Sequence, residues 1–110
     1  MPVLYPHNLT EVDQLLNDHP SVVIKFSATY CPPCKAIQPF FEELSDKYSN
    51  TIFICVDTQA CSGAKEKFGI TGIPCFALFK QQQETDRLVG GSRVKLAALF
   101  GNGDGDGEQL

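Results

Sequence analysis

The stretch SATYCPPCKA, residues 27–36, places two cysteines around two prolines: Cys31, Pro32, Pro33 and Cys34. Thiols at this spacing can help hold a metal ion, close a small structural disulfide, or exchange electrons with another disulfide. A closed zinc site needs two further ligands, normally with a short spacing of their own. Cys55, Cys61, Cys75, His7 and His19 remain, and they form no second CxxC or CxxH. A purely structural bridge between residues so close in sequence adds little, because the loop it closes is short. Electron exchange therefore leads, with zinc and the structural bridge kept behind it.

The elements around the pair sharpen that reading. SVVIKFSA (21–28) is apolar or β-branched at nearly every position, the pattern of a central strand covered on both faces in a parallel sheet. Lys25 interrupts it, six residues before Cys31. PPCKAIQPFFEELSDKYS (32–49) has helical spacing at Ile37, Phe40, Phe41, Leu44 and Tyr48, with Pro39 expected to kink it. Cys31 thus lies at the carboxyl end of a strand and the start of a helix. Unpaired N–H groups and the helix dipole there favour a thiolate. Cys34, one turn further in, is expected to be more covered. The division of labour follows: Cys31 attacks a client disulfide, and Cys34 resolves the mixed disulfide.

The rest of the chain reads as a short edge strand at 3–5, a helix at 8–19 capped by Asn8 or Thr10, and a strand at 51–57. A short helix at 60–69 ends at Gly69, followed by a buried strand at 75–79. QQQE (81–84) is expected as a polar turn before an antiparallel edge strand at 85–90. The final helix, 92–100, offers Val94, Leu96, Ala97, Leu99 and Phe100 to a sheet. The order is βαβαβαββα, a single α/β domain over residues 1–100. GNGDGDGEQL (101–110) is expected as a flexible glycine and acidic tail, and its acids lack the spacing of a calcium loop.

Composition narrows the classes. The 110 residues are 43% hydrophobic, enough for one packed core, and the net charge of −4 argues against a nucleic-acid surface. No apolar run reaches membrane-spanning length, and no basic stretch leads into a long apolar run at the N-terminus, so neither a membrane span nor a secretory signal is expected. Five cysteines, an odd number, fit a reducing compartment and a cytoplasmic setting. Cys55 alternates with Ile54 and Val56 and is expected in the core. Cys61 is expected near the surface, where oxidation is conceivable, and both histidines are expected to be solvated.

VVIKFSATYCPPCKAIQPFFEELSDKYSNTIFICVD and FGITGIPCFALFKQQQETDRLVGG together resemble the thioredoxin family in segment order over about residues 3–100. The resemblance implies the thioredoxin fold, a central mixed β-sheet flanked by helices on both faces. It implies a thiol–disulfide oxidoreductase with Cys31 as nucleophile and Cys34 as resolving thiol. Pro33 matches the family's proline between the cysteines and Pro39 its kink proline. Pro74 matches its cis-proline, with Ile73 supplying backbone groups to a bound client. Gly72, Gly90 and Gly91 match the low-relief surface around the site, and Lys35 matches the basic residue after the motif. Phe26, Ala28 and Asp57 match positions around the motif and at the end of the next strand. The implied partners are an NADPH-dependent thioredoxin reductase as electron donor and disulfide-containing clients such as peroxiredoxins. A monomer without cofactor or metal is expected.

Four positions depart from the family pattern. Pro32 stands where glycine is usual and removes a second N–H beside Cys31. Tyr30 replaces tryptophan, keeping an aromatic wall but exchanging an indole donor for a phenol. Cys75 stands where threonine is more frequent; a small buried hydrophobe, a third redox thiol and a ligand in a shared metal or iron–sulfur site are its open readings. Lys25 occupies the place of a buried aspartate behind the resolving cysteine. It can be a neutral base, a charged partner for a Cys34 thiolate, or a core-packed stem whose amine reaches solvent or a water pocket. Two other classes of function stay open: a binding or assembly module on the same fold, and an oxidase or isomerase tuned by Pro32. A reduction potential near about −270 mV marks a reductant, and one near about −180 mV marks isomerase-like work.

Overall fold

The chain, seen in a computed structural model that describes residues 2–101, forms four strands and four helices. In chain order these are α1 (Leu9–Asp18), β1 (Ser21–Ser27), α2 (Pro32–Lys47), β2 (Ile52–Asp57), α3 (Ala64–Phe68), β3 (Cys75–Lys80), β4 (Gln83–Val89) and α4 (Arg93–Phe100). The expected tail begins at Gly101, and its remaining residues, 102–110, lie outside the described ones. No helix among the described residues is long and apolar enough to cross a membrane.

The sheet order is β2-β1-β3-β4. β1 is central, as its uninterrupted burial requires. Its neighbours differ: β2 runs parallel to it and β3 antiparallel. The sheet is therefore mixed, not parallel on both sides of β1. The expected strand at 3–5 contracts to a single bridge, Leu4 against Ile54, with Leu4 N–H donating to the Phe53 carbonyl and Cys55 N–H to that of Leu4, both at 2.9 Å.

Alternation along the strands divides the core into two layers. Val22, Ile24, Phe26, Ile54, Val56, Cys75 and Ala77 pack with Val12 and Leu16 of α1 and Ala64 of α3. Val23, Phe53, Phe76 and Leu78 pack with Ile37, Phe41 and Leu44 of α2 and Leu96 of α4. Phe41 anchors the second layer, its ring centroid 5.1 Å from that of Phe53 and 5.6 Å from that of Phe76.

Local chemistry fixes the ends of these elements. Asn8 caps α1 by accepting from Glu11 N–H at 2.9 Å, while the Glu11 carboxylate accepts from His7 N–H. Ser92 caps α4 by accepting from Lys95 N–H. α2 runs through Pro39 as one element of 16 residues. The hairpin is tighter than expected, because β4 begins at Gln83 and only Gln81 and Gln82 turn the chain. Both have positive φ, 52° and 71°, as a two-residue type I′ loop demands. On α4, Val94 points to solvent and is 80% exposed, whereas Leu96, Leu99 and Phe100 are buried.

Candidate active site

Cys31 ends the turn after β1 and serves as the N-cap of α2. Pro32 and Pro33 occupy the first two helical positions, so neither supplies an N–H. The first backbone donor is Cys34 N–H, and it points at Cys31 Sγ, 3.3 Å away. The doubled proline thus shapes the first turn while leaving one close main-chain donor for the sulfur. A cysteine at this end of a helix also sits in the favourable field of the helix dipole.

Cys31 and Cys34 are joined as a disulfide, their Cα atoms 5.2 Å apart. Both are buried, and they pack with Ala28 against the half-buried Ile73. Tyr30, Pro32 and Pro33 are exposed around them. The Ile73–Pro74 bond is cis, and Pro74 carbonyl accepts from Gly90 N–H at 2.8 Å. A Cβ placed on Gly91 would lie 3.6 Å from Pro33 Cβ and 3.9 Å from Pro74 Cγ. The fold therefore brings the exposed Pro33 and Gly91 and the buried Pro74 together from three separate stretches of sequence.

The three glycines expected to share one role, Gly72, Gly90 and Gly91, differ in space. Gly91 gives close approach to Pro33 and Pro74. Gly90 has φ of 115° and nothing within 4 Å of a Cβ, so backbone conformation sets its identity. Gly72 abuts Val89, whose Cγ1 would lie 3.1 Å from an added Cβ.

Lys25 is 2% exposed and lies behind the pair. Its Nζ donates to the Cys34 carbonyl at 2.7 Å and to Gln38 Oε1, and it stands 6.0 Å from the Phe41 ring centroid. Burial lowers its pKa, while the fields of Cys55 and Glu42 oppose that shift. The amine is tied to α2 and does not reach out past the surface. Gln38 and Glu42 were not singled out in the sequence. Their signal was the i, i+4, i+8 series Cys34, Gln38, Glu42, which puts all three on one face of the helix. Lys35 is exposed and lines the cleft shared by Lys25, Cys34 and Glu42.

The other cysteines separate from the pair. Cys75 is fully buried in the α1/α3 layer, and burial pushes its thiol pKa up. Cys61 is also buried, correcting the expected exposure: it precedes α3, in a turn where its N–H donates to the Asp57 carbonyl at 2.8 Å. Cys55 is half-buried at the α2-side edge, 3.6 Å from Ser27 Oγ, and burial raises its pKa against the Ser27 bond and the Lys25 field. Among the described residues, no group of three or more His, Cys, Asp or Glu side chains is placed to hold a metal ion.

A family model described as Thioredoxin matches residues 4–100. The chain belongs to the thioredoxin family. It is 44% identical to a thioredoxin of Equus caballus over 79 residues, 72% of this chain and 75% of that protein. A Plasmodium falciparum thioredoxin structure superposes with a TM-score of 0.86 at 35% identity, covering 88% of this chain and 95% of the other. A chain solved in a study of thiol resolution in a yeast mitochondrial 1-Cys peroxiredoxin via glutathione/thioredoxin systems gives 0.85 at 27% identity, over 91% and 94%. With a disulfide on its CxxC motif and a thioredoxin fold around it, the protein is a thiol–disulfide oxidoreductase acting through a dithiol/disulfide pair.

Proposed function

We propose that the protein is a general reductant of protein disulfides, recharged by an NADPH-dependent thioredoxin reductase. The observation that carries this reading is the exposed rim of Tyr30, Pro32 and Pro33 around Cys31, with Pro33 beside the exposed Gly91. A low apolar surface of this kind suits an extended client segment held through its backbone, with little demand on side-chain identity. Peroxiredoxins are proposed clients, supported by the similarity to the chain from the yeast peroxiredoxin study. The proposed setting is the cytoplasm, and the proposed working form is a monomer.

In the reaction, Cys31 thiolate attacks one client sulfur and the second client sulfur leaves as a thiolate. Cys34 thiolate then attacks Cys31 Sγ, the bond to the client breaks, and the client departs reduced. The dithiol loses two electrons, the client disulfide gains them, and the leaving thiolates take protons from solvent.

The test is insulin reduction by the pure protein with NADPH and a thioredoxin reductase, beside Cys31→Ser. Turnover lost in the variant is expected. No wild-type turnover, even with a chemical reductant in place of the reductase, would overturn the general-reductant reading. A potential near about −180 mV instead of about −270 mV would assign the protein to isomerase-like work.

A further inference from the structure

Lys25 sits in the middle of the central strand, opposite Cys55 on one side and Phe76 on the other. A lysine in such a place normally loses its charge or finds partners for it. Here both partners of Nζ are acceptors: the Cys34 carbonyl and Gln38 Oε1. The Gln38 amide nitrogen then donates outward, to Glu42 Oε2 at 3.1 Å and to Tyr5 Oη at 3.2 Å. The direction of the chain is thus set from end to end. The amine donates, the amide relays, and a carboxylate accepts at the rim. An ammonium, which can only donate, fits this pattern.

The carbonyl that Lys25 holds belongs to the resolving cysteine itself. Within one residue the thiol sulfur lies at most about 5 Å from its own carbonyl oxygen. The ammonium is therefore at most about 8 Å from Cys34 Sγ, and both side chains are buried, where charges are screened less than at an exposed surface. Other titratable groups face the same region. Cys34, Lys35 and Glu42 come from α2, Cys55 and Asp57 from β2, and Tyr5 and His7 from the N-terminal segment, while β3 sets the apolar Phe76 opposite Lys25. Glu42 and Cys55 support the charge on Lys25, which burial opposes.

We propose that Lys25, held as an ammonium by the Cys34 carbonyl and Gln38, stabilises the Cys34 thiolate and so sets the pH dependence of the resolving step. The proposal rests on the exchange reaction given above and concerns its second half. Cys34 loses its proton to solvent through the cleft shared with Glu42. Its thiolate attacks Cys31 Sγ, the Cys31–client bond breaks, and the client sulfur leaves with the electron pair. Lys25 neither gives nor takes a proton in this sequence. It is a positioning residue whose charge favours one protonation state of its neighbour.

The decisive measurement is the titration of the Cys34 Cβ carbon shift in the reduced wild-type protein. A midpoint about one unit below the ordinary thiol value of about 8.5 is expected. A midpoint at or above that value overturns the proposal, whether or not any variant folds. In single-turnover reduction of a client disulfide, Lys25→Met is expected to slow resolution about tenfold at neutral pH and to move its pH midpoint up by about one unit. A Cys34→Ser background, in which the mixed disulfide should accumulate, tests the exchange reading apart from Lys25. Resolution unchanged in rate and pH profile overturns the lysine proposal alone. A Cys34→Ser protein that forms no mixed disulfide overturns the exchange reading and the lysine proposal with it.

Discussion

Adjacent glycines near the cysteine pair are expected to respond to the same substitution with opposite signs. Gly90 has φ of 115°, a conformation L residues rarely adopt, and its N–H is pinned to the Pro74 carbonyl at 2.8 Å. A methyl group there meets nothing within 4 Å, so Gly90→Ala acts through the backbone alone. Strain of about 1–3 kcal/mol, less about 0.4–1 kcal/mol from a stiffer unfolded chain, leaves the variant destabilised by about 1–2 kcal/mol. Gly91 lies outside the left-handed region, and its added methyl would meet Pro33 Cβ and O at 3.6 Å and Pro74 Cγ at 3.9 Å, ordinary contact distances. Gly91→Ala is therefore expected to stabilise by about 0.4–1 kcal/mol. The two variants should differ by about 2 kcal/mol, on the order of 10 °C in melting temperature.

Activity should separate them again. The Gly91 methyl covers the surface beside Pro33 on which an extended client is proposed to lie. Insulin reduction by Gly91→Ala is expected to fall about tenfold, equivalent to about 1.4 kcal/mol of lost transition-state contact, while reduction of a small aromatic disulfide stays unchanged. Urea unfolding and both reductase assays on the same preparations decide the matter. Equal stabilities for the two variants would refute the conformational reasoning. An equal loss with both substrates would refute the docking surface.

Two further outcomes are expected. Gln82 has φ of 71° in the hairpin and bonds Asn17 through its side chain at 3.0 Å. Gln82→Gly and Gln82→Ala both lose that bond, but only glycine relieves the backbone, so thermal melts should place the glycine variant about 1 kcal/mol above the alanine variant. In the oxidised protein, burial holds the Lys25 pKa below its unfolded value, so between the two the unfolded chain binds more protons and stability rises with pH. Lys25→Met lacks this rise. Its stability relative to the parent should therefore be greatest at neutral pH and shrink as pH approaches about 10.4, and urea titrations showing a constant difference would count against a depressed lysine.

The leading chemistry and most of the scaffold are legible in the residue pattern alone. A β-branched run, a CxxC and a helical period follow one another within about thirty residues, and that local order already assigns the cysteine pair to the junction of strand and helix. Side-chain periodicity is a property of a segment, which is why the elements at β1, α2 and α4 were legible. Pairing is a property of two segments far apart, and it emerges only in the folded chain. β3 joins β1 antiparallel, an arrangement that no pattern within either strand encodes. Cys61 precedes a helix in a way that reads as surface, yet the packing of α1 and α3 closes over it. Lys25 was visible as an intruder, but its partners come from the next turn of a different element. Only the crossing of α2 over β1 brings the amine to the Cys34 carbonyl and Gln38. The glycines were readable as a group and separable only in space, because a positive φ and a close approach leave the same letter in the chain.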